Sequence, residues 1–374
     1  MKRGLVSIYC LIVFIGCTPG GKVNNRGGYI ANSFVPVADK HIQYEGRVGF
    51  DGTNAAELYW PGTTIRFNFI GTGIKAVFQD TTGQNYFNVI IDGVSIYRIR
   101  VDTAKKTYTL AENLPMGRHT VELFKRTQIH KEYKRGYIKF YGFQLDNETK
   151  LLDPPPLKKR KMEFYGNSVT CGHAIEDTSG GDSGASMYEN NYLSYAALTA
   201  RHYNAQYACI AKSGIGLMVS FGALIMPEMY NLRNPFDSLD VWNFSKYSPD
   251  IVLINLLQND AGIVKRPEYV HFKIRFGEQP PAEDFIIKSY AGFVSTIRNR
   301  YPNANIICLL GSMNITQEGS LWPEYVRKAV ASLNDQKIFT HFFGYKNTPG
   351  HPRVNEHKIM SESLINFIDS NIKW

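Results

Sequence analysis

Ile251-Val252-Leu253-Ile254-Asn255-Leu256-Leu257 decides how the second half of this chain folds. The run is apolar except at Asn255, which suits a strand buried on both faces, as in a parallel sheet covered by helices. The surrounding sequence repeats the theme. Met162–Tyr165, Gln206–Ala211, Ile306–Leu310 and Ile338–Phe343 read as further short strands. Helical spacing places Tyr188, Tyr192, Tyr195 and Leu198 on one face over Tyr188–Gln206, and Ile286, Tyr290, Phe293, Ile297 and Tyr301 on one face over Phe285–Tyr301, where Pro302 stops the helix. Trp322–Leu333 and Val354–Ile372 complete the set. Strand alternating with helix predicts a three-layer α/β domain with a parallel sheet over residues 162–374.

Upstream the period changes to two. Ile65-Arg66-Phe67-Asn68-Phe69 alternates strictly, and Phe87–Ile91 leads through Asp92-Gly93 to Val94-Ser95-Ile96, a hairpin signal. Thr120–Phe124 and Tyr137–Phe140 continue the pattern, with no helical spacing between them. Residues 37–150 are therefore expected to form an all-β sandwich. Asp153-Pro154-Pro155-Pro156 and the basic Lys158–Lys161 mark a linker over 151–161.

The first residues resemble a bacterial lipoprotein leader. Met1-Lys2-Arg3 precedes the apolar Leu5–Ile15, which is too short to span a bilayer. Phe14-Ile15-Gly16-Cys17 is similar to a lipobox. The reading is a signal peptide over 1–17, lipidation at Cys17, a Gly/Asn-rich spacer over 18–36, and an exported protein anchored at the outer membrane. Of the five cysteines, Cys10 and Cys17 fall to this leader. Cys171, Cys209 and Cys308 are an odd remainder, so no complete disulfide framework is expected. No Cys/His spacing suits a zinc site. The formal charge is +9, but its only dense runs are Lys131–Arg135 and Lys158–Lys161. Two short runs do not make the basic stripe that nucleic-acid binding needs.

Chemistry-bearing residues follow successive strands. The first runs into Gly166-Asn167-Ser168-Val169-Thr170-Cys171-Gly172, which offers a serine nucleophile at a strand's end, or an ordinary capped turn. The next ends at Ser213-Gly214-Ile215-Gly216, where backbone amides can approach a ligand unobstructed. Ile251–Leu257 ends at Gln258-Asn259-Asp260, and an asparagine there can aim its amide at an oxyanion. The last strand is followed by Pro349-Gly350-His351-Pro352. In open parallel sheets, ligands bind at such strand ends.

These blocks, in this order, resemble the SGNH (GDSL-type) hydrolases. Gly166–Gly172, Tyr195–Arg201, Ser213–Leu217 and Trp242-Asn243-Phe244-Ser245 before Pro249-Asp250 are similar to carbohydrate esterase family 2. That resemblance implies a jelly-roll domain ahead of an SGNH domain, and removal of acetyl groups from plant polysaccharides such as xylan or glucomannan, or from their oligosaccharides. It implies Ser168 as nucleophile and His351 as base. The oxyanion hole would comprise the Ser168 and Gly214 amides and the Asn259 side chain, with no metal or organic cofactor.

Three positions depart from the family pattern. Asn167 stands where Asp is usual, and Leu257 where Gly is usual. Pro349 stands where the histidine's orienting Asp is expected. The Pro349 backbone carbonyl is the expected substitute acceptor, leaving a Ser-His dyad. Gly180-Gly181-Asp182-Ser183-Gly184 follows no strand and is rejected as the nucleophile motif, although its loop can border the cleft. Two other readings compete: a catalytically silent carbohydrate-binding pseudo-esterase, favoured by Pro349 and Leu257, and an SGNH enzyme for another ester, such as a lipid.

Overall fold

The structure, a computed structural model, describes residues 33–129 and 136–374. The leader, Cys17, most of the spacer and the basic run Lys131–Arg135 lie outside the described residues. Residues 33–152 build two antiparallel sheets of six strands each. One sheet runs Val48–Asp51, Ala55–Leu58, Ile138–Leu145, Ile74–Asp80, Lys106–Ala111, with Ser33–Pro36 as its sixth strand. The other runs Lys150–Leu152, Thr64–Gly71, Gly117–Lys125, Tyr86–Ile91, Ser95–Arg100, with Gln43–Glu45 as its sixth strand, also pairing with Thr64–Gly71. Alternation sorts the faces as the sequence implies: Ile65, Phe67 and Phe69 point inward and meet Phe78, Phe87, Phe140 and Phe143 between the sheets. The Asp92-Gly93 turn carries positive φ at both residues, as a tight hairpin requires.

Two boundaries differ from expectation. Ser33–Pro36 pairs with Ile138–Leu145, so the end of the expected spacer is a strand. Its exposed, irregular burial left no two-residue period to read. The expected linker is also invaded at its start, because Lys150–Leu152 pairs with Thr64–Gly71.

The C-terminal part holds a five-stranded parallel sheet in the order Gln206–Ala211, Lys161–Gly166, Ile251–Asn255, Asn305–Gly311, Ile338–Phe343. Helices Tyr195–His202 and Val354–Asn371 cover one face, and Glu283–Arg300 and Trp322–Ser332 the other. The chain order reverses between the strands Lys161–Gly166 and Ile251–Asn255, which makes the crevice beyond their C-terminal ends the expected binding place.

The two parts share their cores. Ile90 and Phe124, on the outer face of the sandwich, join the cluster around Met162, Phe164 and Tyr207. Arg47 is 1% exposed and reaches across. It donates to the Tyr230 and Leu232 carbonyls at 2.6 and 2.9 Å, to Glu163 at 3.0 Å and to the Tyr165 hydroxyl at 3.1 Å. A buried guanidinium is tolerable only with its charge paired, and here both terminal nitrogens are matched while Nε is left without a partner.

Candidate active site

Strand Lys161–Gly166 delivers Ser168 to the crevice. Gly166 is required there, because a Cβ would sit 2.0 Å from Thr170 Oγ1. Asn167 caps the short helix Ser168–Cys171, its Oδ1 accepting from the Val169 amide at 3.1 Å. The unusual Asn thus keeps the capping oxygen. Behind this helix the Thr170 hydroxyl meets the Tyr195 hydroxyl at 2.9 Å, and Asn255 Nδ2 donates to the same Tyr195 at 3.1 Å. The serine's turn is therefore braced by both the neighbouring strand and the next helix.

His351 Nε2 lies 2.8 Å from Ser168 Oγ. Its Nδ1 lies 2.6 Å from Asp182 Oδ2, and its backbone N–H donates to Asp182 Oδ1 at 3.0 Å. An ionised carboxylate only accepts, so Nδ1 carries the proton and Nε2 is left to accept from the serine hydroxyl. This corrects the expected dyad. The Pro349 carbonyl does not orient the imidazole; it accepts from Lys346 Nζ at 3.1 Å. The acid comes from the Gly-Asp-Ser loop set aside as a nucleophile, and Arg353 ties that loop down through the Gly181 carbonyl and Asp182. Sequence reasoning missed Asp182 because no strand or helix leads to it. The available signal was a glycine-flanked Asp shortly after Ser168.

The electrostatics agree with this arrangement. Burial pushes the Asp182 carboxyl up, but the hydrogen bonds and charge of His351 outweigh that and hold it well below the usual carboxylate range. Burial lowers His351, helped by the charge of His173 and opposed by Asp182. A lowered imidazole is neutral near pH 7, as a base must be. The His173 ring stands 4.7 Å from that of His351, edge to face, and His173 is itself buried.

Gly214 and Asn259 follow the strands on either side of the serine's strand. Neither the Gly214 amide nor the Ser168 amide, the first of its helix, donates to an acceptor among the described residues. Asn259 Nδ2 spends one proton on the Ile215 carbonyl at 2.6 Å, which leaves its second for another acceptor. Asp260 accepts from the Leu217, Met218 and Val219 amides at 2.7–3.1 Å and so shapes the same loop. Leu257 does not crowd the crevice: it turns into the core, fully buried, at φ +72.

Beside the histidine the surface opens. A hollow of about 460 Å³ is lined by Met313, Asn314, Tyr345 and Gly350. A second, of about 760 Å³, shares Asn314 and extends past Gln258 to Trp322 and Tyr325. Cys171, Cys209 and Cys308 are all buried, and burial pushes the Cys209 and Cys308 thiols up to about 12. Among the described residues no three His, Cys, Asp or Glu side chains are grouped to hold a metal ion.

Residues 44–155 match the model of the carbohydrate esterase 2 N-terminal domain. A family two carbohydrate esterase from Clostridium thermocellum, solved with cellohexaose, is 32% identical. It superposes with a TM-score of 0.77 over 88% of this chain and 98% of that one. The chain belongs to carbohydrate esterase family 2. Family 2 members are carboxylic ester hydrolases, and the antiparallel sheets followed by a parallel α/β layer are their architecture. Cellulase/esterase CelE of Acetivibrio thermocellus is 34% identical over 89% of this chain, which spans only 40% of that longer protein. An acetylxylan esterase/glucomannan deacetylase of Cellvibrio japonicus is 25% identical over 91% of each chain.

Proposed function

We propose that this protein is a serine esterase that removes acetyl groups from plant-type polysaccharides, such as xylan or glucomannan, or from their oligosaccharides. The observation that carries the reading is His351 bridging Ser168 and Asp182 at 2.8 and 2.6 Å. Ser168 Oγ attacks the acetyl carbonyl while His351 Nε2 takes its proton, with Asp182 holding the ring and stabilising the imidazolium. The carbonyl oxygen becomes an oxyanion facing the Ser168 and Gly214 amides and the Asn259 side chain. As the ester C–O bond breaks, His351 returns the proton to the departing sugar oxygen, leaving an acetyl-serine. Water then attacks the acetyl group, gives its proton to His351, and acetate leaves as Ser168 Oγ is reprotonated.

The half-buried aromatic ring of Tyr325 and the room around Asn314 support a sugar chain lying next to His351. The leader sequence supports export and an outer-membrane anchor through Cys17. Replacement by Ala at that position then releases the protein from membranes in a fractionation assay, and continued membrane retention removes the anchor.

Acetate release from acetylated xylan and from 4-nitrophenyl acetate tests the reading. Ser168→Ala and His351→Ala are each expected to lose about 10³-fold or more in kcat, in line with loss of a triad member. If the wild type is no faster than Ser168→Ala on both substrates, the chain is a silent glycan-binding relative instead.

A further inference from the structure

The loop that carries Gly214 is held by contacts from both domains. Downstream it is anchored within its own domain: Gly214 O accepts from the Phe221 amide at 2.9 Å, and Asp260 takes the three amides of Leu217 to Val219. Upstream the Lys212 amide still donates to the Gly166 carbonyl of the neighbouring strand at 3.3 Å, and the next residue is gripped by Gln128, which follows the strand Gly117–Lys125 of the β-sandwich and is fully buried. Its Oε1 accepts the Ser213 N–H at 2.5 Å, and its Nε2 donates to Ser213 Oγ at 2.6 Å. Donor and acceptor on one flat amide thus grip a single serine at its backbone and its hydroxyl. The next peptide carries the Gly214 N–H, so its direction follows from where Ser213 is held.

Gln128 is in turn braced by the buried carboxylate of Glu189. That carboxylate takes the Gln128 backbone N–H at 3.2 Å and also meets the Gln128 side-chain amide. Its Oε1 lies 3.2 Å from His173 Nδ1, and the His173 ring packs on His351. One carboxylate therefore ties the oxyanion loop to the wall behind the base. A polar cluster buried this deeply is worth its desolvation only when its members are satisfied together.

We infer that Gln128 is a positioning residue for the oxyanion hole, so the β-sandwich is a working part of the esterase centre and not only a neighbouring module. The inference rests on the esterase reading above. It concerns the aim of one amide donor, so it predicts loss of transition-state stabilisation with ground-state binding retained.

Gln128→Met keeps the length of the side chain and removes both contacts to Ser213. Active sites are counted by titration, so that any unfolded fraction is discounted. Per active site, kcat on 4-nitrophenyl acetate is expected to fall by about 10- to 100-fold, as for a donor misplaced by about an ångström. KM stays within about twofold, because uniform binding is untouched. Methylboronic acid forms a tetrahedral adduct on Ser168 whose oxygen occupies the oxyanion position, and its dissociation constant should rise in step with the loss in kcat. Wild-type kcat in Gln128→Met overturns the inference, and so does a fall in kcat with unchanged boronic-acid affinity. Should Gln128→Met not fold, Ser213→Ala decides, since it deletes one hydroxyl. It should lower kcat and boronic-acid affinity together by about threefold or more, a fraction of the loss for a missing donor, and wild-type values overturn the inference. A wild type without Ser168-dependent turnover removes the esterase reading itself, whereas wild-type turnover with an unaffected Gln128→Met removes only the role of Gln128.

Discussion

Asp182 is the residue on which the catalytic reading turns, because it replaces an acid that the sequence lacks at its usual place. Asp182→Asn leaves the shape of the contact intact but removes the charge that favours the Nδ1-protonated, Nε2-accepting imidazole. The expected loss in kcat is about 10²- to 10⁴-fold. The pH profile carries a second signature. The carboxylate raises the His351 pKa against burial, so its removal should move the acidic limb of kcat/KM to lower pH. Near-wild-type kcat in Asp182→Asn would mean that a different acceptor, such as a backbone carbonyl, orients the ring. The placing of Ser168, His351, Gly214 and Asn259 at one sheet edge was legible from the sequence, because each follows a strand in a sheet whose strand ends gather there. Asp182 was not, because a loop residue's place depends on chain closure in three dimensions. Pro349 misled for the same reason: its carbonyl is in the right stretch of chain, but Lys346 takes it.

Among the elements, the turn between the strand Ile251–Asn255 and the helix Gln258–Ile263 shows two forces set against each other. Leu257 holds a left-handed backbone that glycine adopts freely, at a cost of about 1–2 kcal/mol for a side-chain-bearing residue. The same side chain is fully buried in the core beneath the crevice, and deleting a buried leucine costs about 2–5 kcal/mol. Burial wins. Leu257→Gly is therefore expected to lower stability by about 1–3 kcal/mol in urea unfolding, and a stabilised variant would show that strain dominates. The long regular elements could be read because their periods are uninterrupted. The helix expected over Tyr188–Gln206 is instead Tyr195–His202, preceded by two short 3-10 turns. Ser194 explains the shortening: its hydroxyl accepts from the Ala197 amide at 3.3 Å, capping a helix that tyrosine spacing alone would begin earlier.

Across the whole molecule, folding stability should depend on pH through a histidine outside the catalytic relay. His357 is fully buried on the helix Val354–Asn371, and its Nδ1 accepts the Tyr195 amide at 3.1 Å. Burial, with some repulsion from His351, drives its pKa down to about 3. Between that value and the ordinary histidine pKa of about 6.5, the unfolded chain binds a proton that the folded chain does not, so stability rises with pH and is lost on acidification. His357→Asn keeps an acceptor for Tyr195 and has nothing to titrate, so its urea midpoint should fall less between pH 7 and pH 4 than that of the wild type. Equal falls would assign the acid sensitivity elsewhere. The relay has a weakness of another kind. Thr178 to Asp182 form an exposed, glycine-containing tip, the kind of segment that proteases cut first, while Ser168 sits within the packed body. A cut between Thr178 and Gly181 would leave Asp182 held only by its contacts to His351 and Arg353, with the packed cores untouched. A protease that cuts there is expected to lower the activity of this hydrolase without unfolding it, and the nicked protein would still look native to any probe of its fold.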